Sequence, residues 1–103
     1  MRLVEFAPAA RAELDAAADR YELERPGRGV RLYAAVERGV RLIVRFPDAG
    51  PMDAGVPVNF AVRRPVVRSF PFALAYRELG DAIRIDAVVH SKRRPGYGHR
   101  RLR

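Results

Sequence analysis

The spacing of apolar residues divides this chain into a helical first half and a second half of strands. Apolar positions recur at intervals of three and four over about residues 10–21 and again over 32–46, which predicts two amphipathic helices. Between them, Arg25-Pro26-Gly27-Arg28-Gly29 is too rich in helix breakers to continue either helix. Because this connection is short, the helices should form an antiparallel hairpin.

The later part of the chain changes to a period of two. Apolar residues alternate over 72–76 and over 83–89, and Gly80-Asp81 between them predicts a two-residue hairpin turn. Leu3–Phe6 is a further short strand, and 60–68 is β-branched but interrupted by Pro65, as expected of an outer strand or a bulge. The predicted order is β-α-α-β-β-β. This is an α+β fold, in which a twisted antiparallel sheet packs against an N-terminal helical hairpin.

The two-residue turn also fixes a register for the hairpin. The predicted cross-strand pairs are Tyr76 with Ile85, Leu74 with Ala87, and Arg77 with Arg84. Two arginines directly opposite each other repel, so either Asp86 compensates them internally or this sheet face presents positive charge to an anionic partner. In the second case Arg77, Arg84 and His90 would act together with arginines of the preceding segment.

Charge is concentrated in the second half of the chain. The net charge is +8, and residues 51–103 hold eleven Lys and Arg against four acids, whereas residues 1–50 hold nine Arg against eight acids. Such a field suits a nucleic acid, a nucleic-acid enzyme or an acidic protein, although a solvated basic surface explains it equally well. On the second helix, Arg31, Arg38, Arg41 and Arg45 line one stripe, which we interpret as a solvated face with a Glu37–Arg41 pair.

Composition narrows the class of protein. A chain of 103 residues with 49% hydrophobic and 31% charged residues is expected to fold as a single domain over 1–103, with residues about 98–103 frayed. The absence of cysteine and of long apolar runs favours a cytoplasmic protein without membrane association. His90 and His99 lack a neighbouring carboxylate, and no phosphate-binding glycine loop is present, so we expect no metal and no cofactor.

Three stretches together resemble the RelE/ParE superfamily of bacterial toxins, in particular its ParE-like, plasmid-stabilisation branch. These are "RLIVRFPDAG" at the end of the second helix, "RSFPFALAYRELGDAIRIDAVVH" over the hairpin, and "HSKRRPGY" from His90 to Tyr97. The resemblance extends over almost the whole chain. It implies the toxin of a type II toxin-antitoxin system, a growth inhibitor that forms a hetero-oligomer with a cognate acidic antitoxin.

The superfamily contains two mechanisms. ParE-like members poison DNA gyrase and need no catalytic centre, and the resemblance favours this branch. RelE-like members are ribosome-dependent mRNA endoribonucleases; in that case Arg93 would stabilise charge on the phosphate, and Tyr97 or His90 would transfer protons. A non-catalytic nucleic-acid-binding module or a degenerate toxin remains as a further alternative.

The resemblance also implies which residues meet the partners. We expect the target to contact a basic set consisting of Arg63, Arg64, Arg68, Arg77, Arg84, Lys92, Arg93 and Arg94. We expect the antitoxin to dock as an amphipathic helix or an added strand on a set consisting of Leu32, Tyr33, Val36 and Arg77. Tyr97 should pack on the core, so that the basic C-terminal stretch begins ordered.

Overall fold

The protein folds as a helical hairpin on one face of a three-stranded sheet. The computed structural model describes residues 3–97 and Leu102. The elements follow one another along the chain as β1 (Leu3–Phe6), α1 (Pro8–Glu24), α2 (Arg28–Arg45), a short 3₁₀ helix (Val58–Phe60), β2 (Phe72–Leu79) and β3 (Ala82–His90). The predicted α+β class and the helical hairpin are confirmed. Neither helix in the described part of the chain is long and apolar enough to cross a bilayer.

In the helical hairpin, a carboxylate of α1 caps the start of α2. Pro8 occupies the first turn of α1, where its missing N–H costs nothing. At the connection, Gly27 adopts φ +86°, and the Glu22 carboxylate accepts hydrogen bonds from the backbone N–H groups of Gly27 and Gly29. A Cβ on Gly29 would lie 2.7 Å from the carbonyl oxygen of Ala18, so this glycine allows the two helices to pack closely.

The sheet is mixed rather than antiparallel throughout. Its strand order is β1-β3-β2, with β2 and β3 antiparallel and β1 parallel to β3, so that Val4 lies opposite Ile83. The first strand therefore pairs with the last, although both helices lie between them in the sequence. The local pattern predicted the strand but contained no information about its direction relative to its neighbour.

The predicted hairpin register is correct near the turn and wrong beyond it. Pairs Tyr76–Ile85 and Arg77–Arg84 are confirmed, but Leu74 lies opposite Val88 instead of Ala87. The cause is a β-bulge in which Asp86 is the extra residue on β3. One extra residue reverses the side-chain alternation of the strand, so Val88 joins Ile85 beneath the helices while Ala87 turns to the opposite face.

The segment predicted as a strand over residues 60–68 is a partial outer strand. It bridges β2 at Arg63–Tyr76 and Val66–Ala73 without forming a continuous ladder. Pro65 accepts a hydrogen bond from the N–H of Leu74 but has no N–H to return, which explains the interruption.

Each face of the sheet has its own apolar cluster. The larger one joins the helices to the sheet around Leu14, Leu32, Leu74 and Ile85. The smaller one lies under the loop of residues 51–62 and is built from small side chains of β2 and β3 together with Val56, Val62 and Leu102. Phe60 and Tyr97 pack against the smaller cluster, so the basic C-terminal stretch does begin ordered. The predicted fraying beyond Tyr97, including His99, lies outside the described residues apart from Leu102.

Candidate functional site

The arginines of the sheet face are largely neutralised by acids of the same chain. Arg77 is only 8% exposed, and its Nε and Nη2 donate hydrogen bonds of 2.8 and 2.9 Å to the two carboxylate oxygens of Asp86. These hydrogen bonds raise the pKa of Arg77, against the opposing effect of burial. Arg84 lies 3.3 Å from Glu5 and 3.6 Å from Asp86. The expectation that Arg77 presents its charge to a target or an antitoxin is therefore corrected: it forms a buried ion pair.

Arg63 and Arg64 also have structural partners. Arg63 donates a 2.6 Å hydrogen bond to the carbonyl oxygen of Gly50. Arg64 donates to the carbonyl oxygens of Arg93, at 2.8 Å, and Arg94, at 3.1 Å. Both arginines thus donate hydrogen bonds to the backbone of loops, and those of Arg64 bind the turn after β3.

That turn carries three of the four exposed cations of the predicted target set. Lys92, Arg93 and Arg94 are all exposed, and Arg68 is exposed on the segment before β2. We call residues 91–97 the C-terminal turn.

The C-terminal turn is tied to the preceding loop by a buried carboxylate. Asp53 is 6% exposed, and its Oδ1 accepts hydrogen bonds from the N–H groups of Gly55, at 3.0 Å, and Gly96, at 2.9 Å. The two glycine backbones touch, because a Cβ on Gly55 would lie 2.2 Å from the carbonyl carbon of Pro95. The C-terminal turn is therefore held in position by hydrogen bonds and close backbone packing.

The three residues predicted for a ribonuclease do line one cleft. His90, Arg93 and Tyr97 surround a space of about 200 Å³ together with Glu13 and Arg20 of α1. The Arg93 guanidinium lies 4.8 Å from the centre of the Tyr97 ring, and His90 Nδ1 accepts a 3.2 Å hydrogen bond from the N–H of Lys92. The cleft thus contains an acid, an imidazole, two guanidinium groups and a phenol.

The residues predicted to bind the antitoxin lie in the core. Leu32 is fully buried and Val36 is 2% exposed, because both face the sheet. Tyr33 is half-buried, and its hydroxyl donates a 2.6 Å hydrogen bond to Asp15, which raises the pKa of the phenol. Leu32 and Val36 are not available to a partner, so this prediction is corrected.

An apolar groove lies instead at the C-terminal end of α2. Its volume is about 320 Å³, and it runs between α2 and the segment before β2. Leu42, Phe46 and Val66 are 61%, 52% and 66% exposed around it. The sequence did contain a signal for this groove, since Leu42 and Phe46 are apolar positions of α2, but apolar spacing alone does not separate exposed positions from the core.

Among residues 3–97 and Leu102, no three side chains of His, Asp or Glu come together as a metal site would require. No match was found among curated protein sequences. The structure is similar to a chain described as "Chromosomal ParDE TA system from P. aeruginosa", with a TM-score of 0.75 and 22% sequence identity, over 87% of this chain and 96% of that one. At this identity the likeness concerns the fold.

The family is identified by sequence. The fold defines a small α+β protein whose exposed cations include those of the C-terminal turn. A family profile described as "ParE toxin of type II toxin-antitoxin system, parDE" matches residues 4–95, which is most of the chain. The chain belongs to this family of ParE toxins.

Proposed function

We propose that this protein is a toxin that inhibits DNA gyrase and is neutralised by a cognate acidic antitoxin in a hetero-oligomer. The family match over residues 4–95 carries the proposal. A net charge of +8 supports an acidic partner, since oppositely charged surfaces accelerate and orient association.

The apolar groove is the proposed antitoxin site. Leu42, Phe46 and Val66 expose apolar surface there, and Arg45 lies beside it with its guanidinium 5.3 Å from the centre of the Phe46 ring. An amphipathic antitoxin segment would place apolar side chains in the groove and acidic ones against Arg45. This combination supports an acidic segment over a neutral one.

The antitoxin site is tested with Leu42→Glu, measured by titration of purified toxin with its antitoxin. A carboxylate in the groove should weaken binding at least about 100-fold, since a desolvated like charge costs several kcal/mol. Val30→Glu is the matched control, because Val30 is 68% exposed on the same helix but outside the groove. Equal weakening by the two variants would move the antitoxin site elsewhere.

The C-terminal turn is the proposed contact with gyrase. Its cations Lys92, Arg93 and Arg94 project from a rigidly held backbone, so they meet a target without first being ordered. The test is inhibition of gyrase supercoiling with a readout for cleaved DNA, comparing the wild type with Lys92→Glu/Arg94→Glu. Inhibition by the wild type that is lost in the variant supports the proposal; an uninhibited gyrase refutes it.

A second candidate function, cleavage of mRNA on translating ribosomes, is favoured by one observation. The cleft between α1 and the C-terminal turn gathers Glu13, His90, Arg93 and Tyr97, which are side chains of the kinds used in acid-base cleavage of phosphodiesters. Codon-positioned cuts that disappear with Tyr97→Phe or His90→Gln would establish this activity. Intact mRNA together with trapped DNA breaks would exclude it.

A further inference from the structure

A second charged cleft lies between the helical hairpin and the turn before β2. Its volume is about 520 Å³. The residues around this cleft include four arginines and no acid: Arg25, Arg28, Arg31, Ala34, Arg38, Ser69 and Phe70. We call it the arginine cleft. It shares no residue with the apolar groove or with the C-terminal turn.

Two acids at the end of α1, Glu22 and Glu24, already have partners. Glu22 caps α2 by accepting from the N–H groups of Gly27 and Gly29. Glu24 lies 3.5 Å from Arg28, whose guanidinium also stacks 4.6 Å from the centre of the Tyr21 ring. One of the four arginines, Arg28, therefore has both an acidic partner and an aromatic contact.

The charges of the other three arginines are not compensated by an acid of the described part of the chain. Within the described residues, no ion pair joins Arg25, Arg31 or Arg38 to an acid. The rest of the α2 stripe differs: Arg41 pairs with Glu37 at 3.3 Å, and Arg45 stacks on Phe46. These three arginines thus repel one another, and no acid among residues 3–97 compensates them. A bound anion would reduce this repulsion.

The lining distinguishes between kinds of anion. An acidic peptide needs apolar anchors to bind well, and this cleft offers only Ala34 and the half-buried ring of Phe70. The Phe70 ring packs edge-on against Tyr21, with ring centres 5.3 Å apart, and the part of it that lines the cleft adds an aromatic surface of the kind that nucleobases contact. Ser69 adds a hydroxyl donor. Arg31 and Arg38 lie about 10 Å apart along α2, from a rise of about 1.5 Å per residue. Along the axis of duplex DNA one strand advances about 3.4 Å per nucleotide, so the two arginines are separated by about three nucleotides of a strand stacked in this form.

We propose that the arginine cleft binds the phosphodiester backbone of a nucleic-acid strand. Arg25, Arg31 and Arg38 contact phosphates, and Phe70 supports a base. This inference goes beyond gyrase inhibition and does not depend on it, because no residue of the C-terminal turn lines the cleft and the test uses nucleic acid alone.

The test is the binding of a labelled single-stranded DNA of about 16 nucleotides, measured by fluorescence anisotropy at several salt concentrations. Arg31→Glu/Arg38→Glu should weaken binding at least about tenfold and reduce the slope of log K against log salt by about 1.4, since each lost phosphate contact on a single strand removes about 0.7. Arg11→Glu/Arg41→Glu is the matched control, because it changes the net charge equally at two arginines outside the cleft, each of which pairs with an acid of its own helix; it should weaken binding less than about threefold. Thermal unfolding by circular dichroism checks that both variants remain folded.

The affinities for duplex DNA and single-stranded RNA of the same length show which form of nucleic acid the cleft prefers. The affinity for polyglutamate tests the acidic-peptide alternative. Equal losses in the two double variants would mean general attraction by the net charge and would overturn the proposal. So would tighter binding of polyglutamate than of the oligonucleotides, or no oligonucleotide binding at low salt.

Discussion

The two faces of the sheet are stabilised by different means. The helix face buries large side chains such as Leu74, Tyr76 and Ile85 beneath the hairpin. The opposite face, which we call the loop face, buries mainly alanine and valine and depends in addition on two buried carboxylates, Asp53 and Asp86. The helix face therefore owes its stability to apolar area, and the loop face to a few directional contacts, each of which matters more when lost.

The largest expected effect is on the ion pair of the loop face. Arg77→Ala removes both hydrogen bonds that Arg77 donates to Asp86 and should lower the free energy of unfolding by about 4 kcal/mol, since breaking a buried pair costs about 3–5 kcal/mol. Urea unfolding measures this loss. The double change Arg77→Met/Asp86→Leu should recover most of it, because an apolar pair needs no compensation; a loss below about 1 kcal/mol in the single variant would contradict the comparison.

The next prediction compares the stability lost by truncating one side chain on each face of β3. Ile85→Ala, on the helix face, should cost about 3 kcal/mol through lost burial and the resulting cavity. Val89→Ala, on the loop face, should cost about 1.5 kcal/mol, because it removes fewer buried carbon atoms and does so from the smaller cluster. Equal losses in urea unfolding would show that the two faces do not differ in the way their burial suggests.

A smaller effect is expected at Asp53. Asp53→Ala leaves the N–H groups of Gly55 and Gly96 without their acceptor and should cost about 2 kcal/mol. Hydrogen exchange at the Gly96 amide should accelerate as the C-terminal turn opens. Asp48→Ala, at an exposed acid, is the control and should change stability by less than about 0.5 kcal/mol.

The smallest effect is on the hydroxyl that links the helix face to the loop after α2. Tyr76 donates its O–H to the carbonyl oxygen of Pro47, so Tyr76→Phe should cost about 1 kcal/mol at neutral pH. Burial raises the pKa of Tyr76 above its usual value of 10.0. Because the folded pKa is the higher one, this stabilisation is complete below pH 10 and is lost as pH rises through the folded pKa.

Unfolding by urea between pH 8 and 11 checks the alkaline loss, which should be shallower in Tyr76→Phe. Tyr33→Phe provides the comparison, since the pKa of Tyr33 is also raised, chiefly by its hydrogen bond to Asp15. If Tyr76→Phe shows the same alkaline decline as the wild type, the buried phenol is not its source.

Local patterns predicted the local structure well. The helices followed from intervals of three and four, and the turn at Gly80-Asp81 followed from two alternating runs around a glycine. The bulge at Asp86 could not be seen, because Ala87, Val88 and Val89 are all apolar and hide the reversal of alternation. The pairing of β1 with β3 depends on contacts between the two ends of the domain, which no local pattern contains.

The candidate site was predicted less well than the fold. Charge alone did not separate Arg77, which is buried against Asp86, from Arg31 and Arg38, which are not compensated. Likewise, apolar character alone did not separate Leu32 in the core from Leu42 at the groove. Both distinctions depend on which partner the fold brings close, and that is settled only in three dimensions.

The parallel pairing of β1 with β3 has a consequence for protein synthesis. The ribosome makes Leu3–Phe6 first and their pairing partners, Ala82–Ile85, much later. At about 5–20 residues per second, roughly 4–16 s pass between the two. During that interval the central strand does not exist, so neither face of the sheet can form. A nascent chain is therefore without a folded domain until β3 has been made, and a message broken before the codons of β3 yields no folded domain.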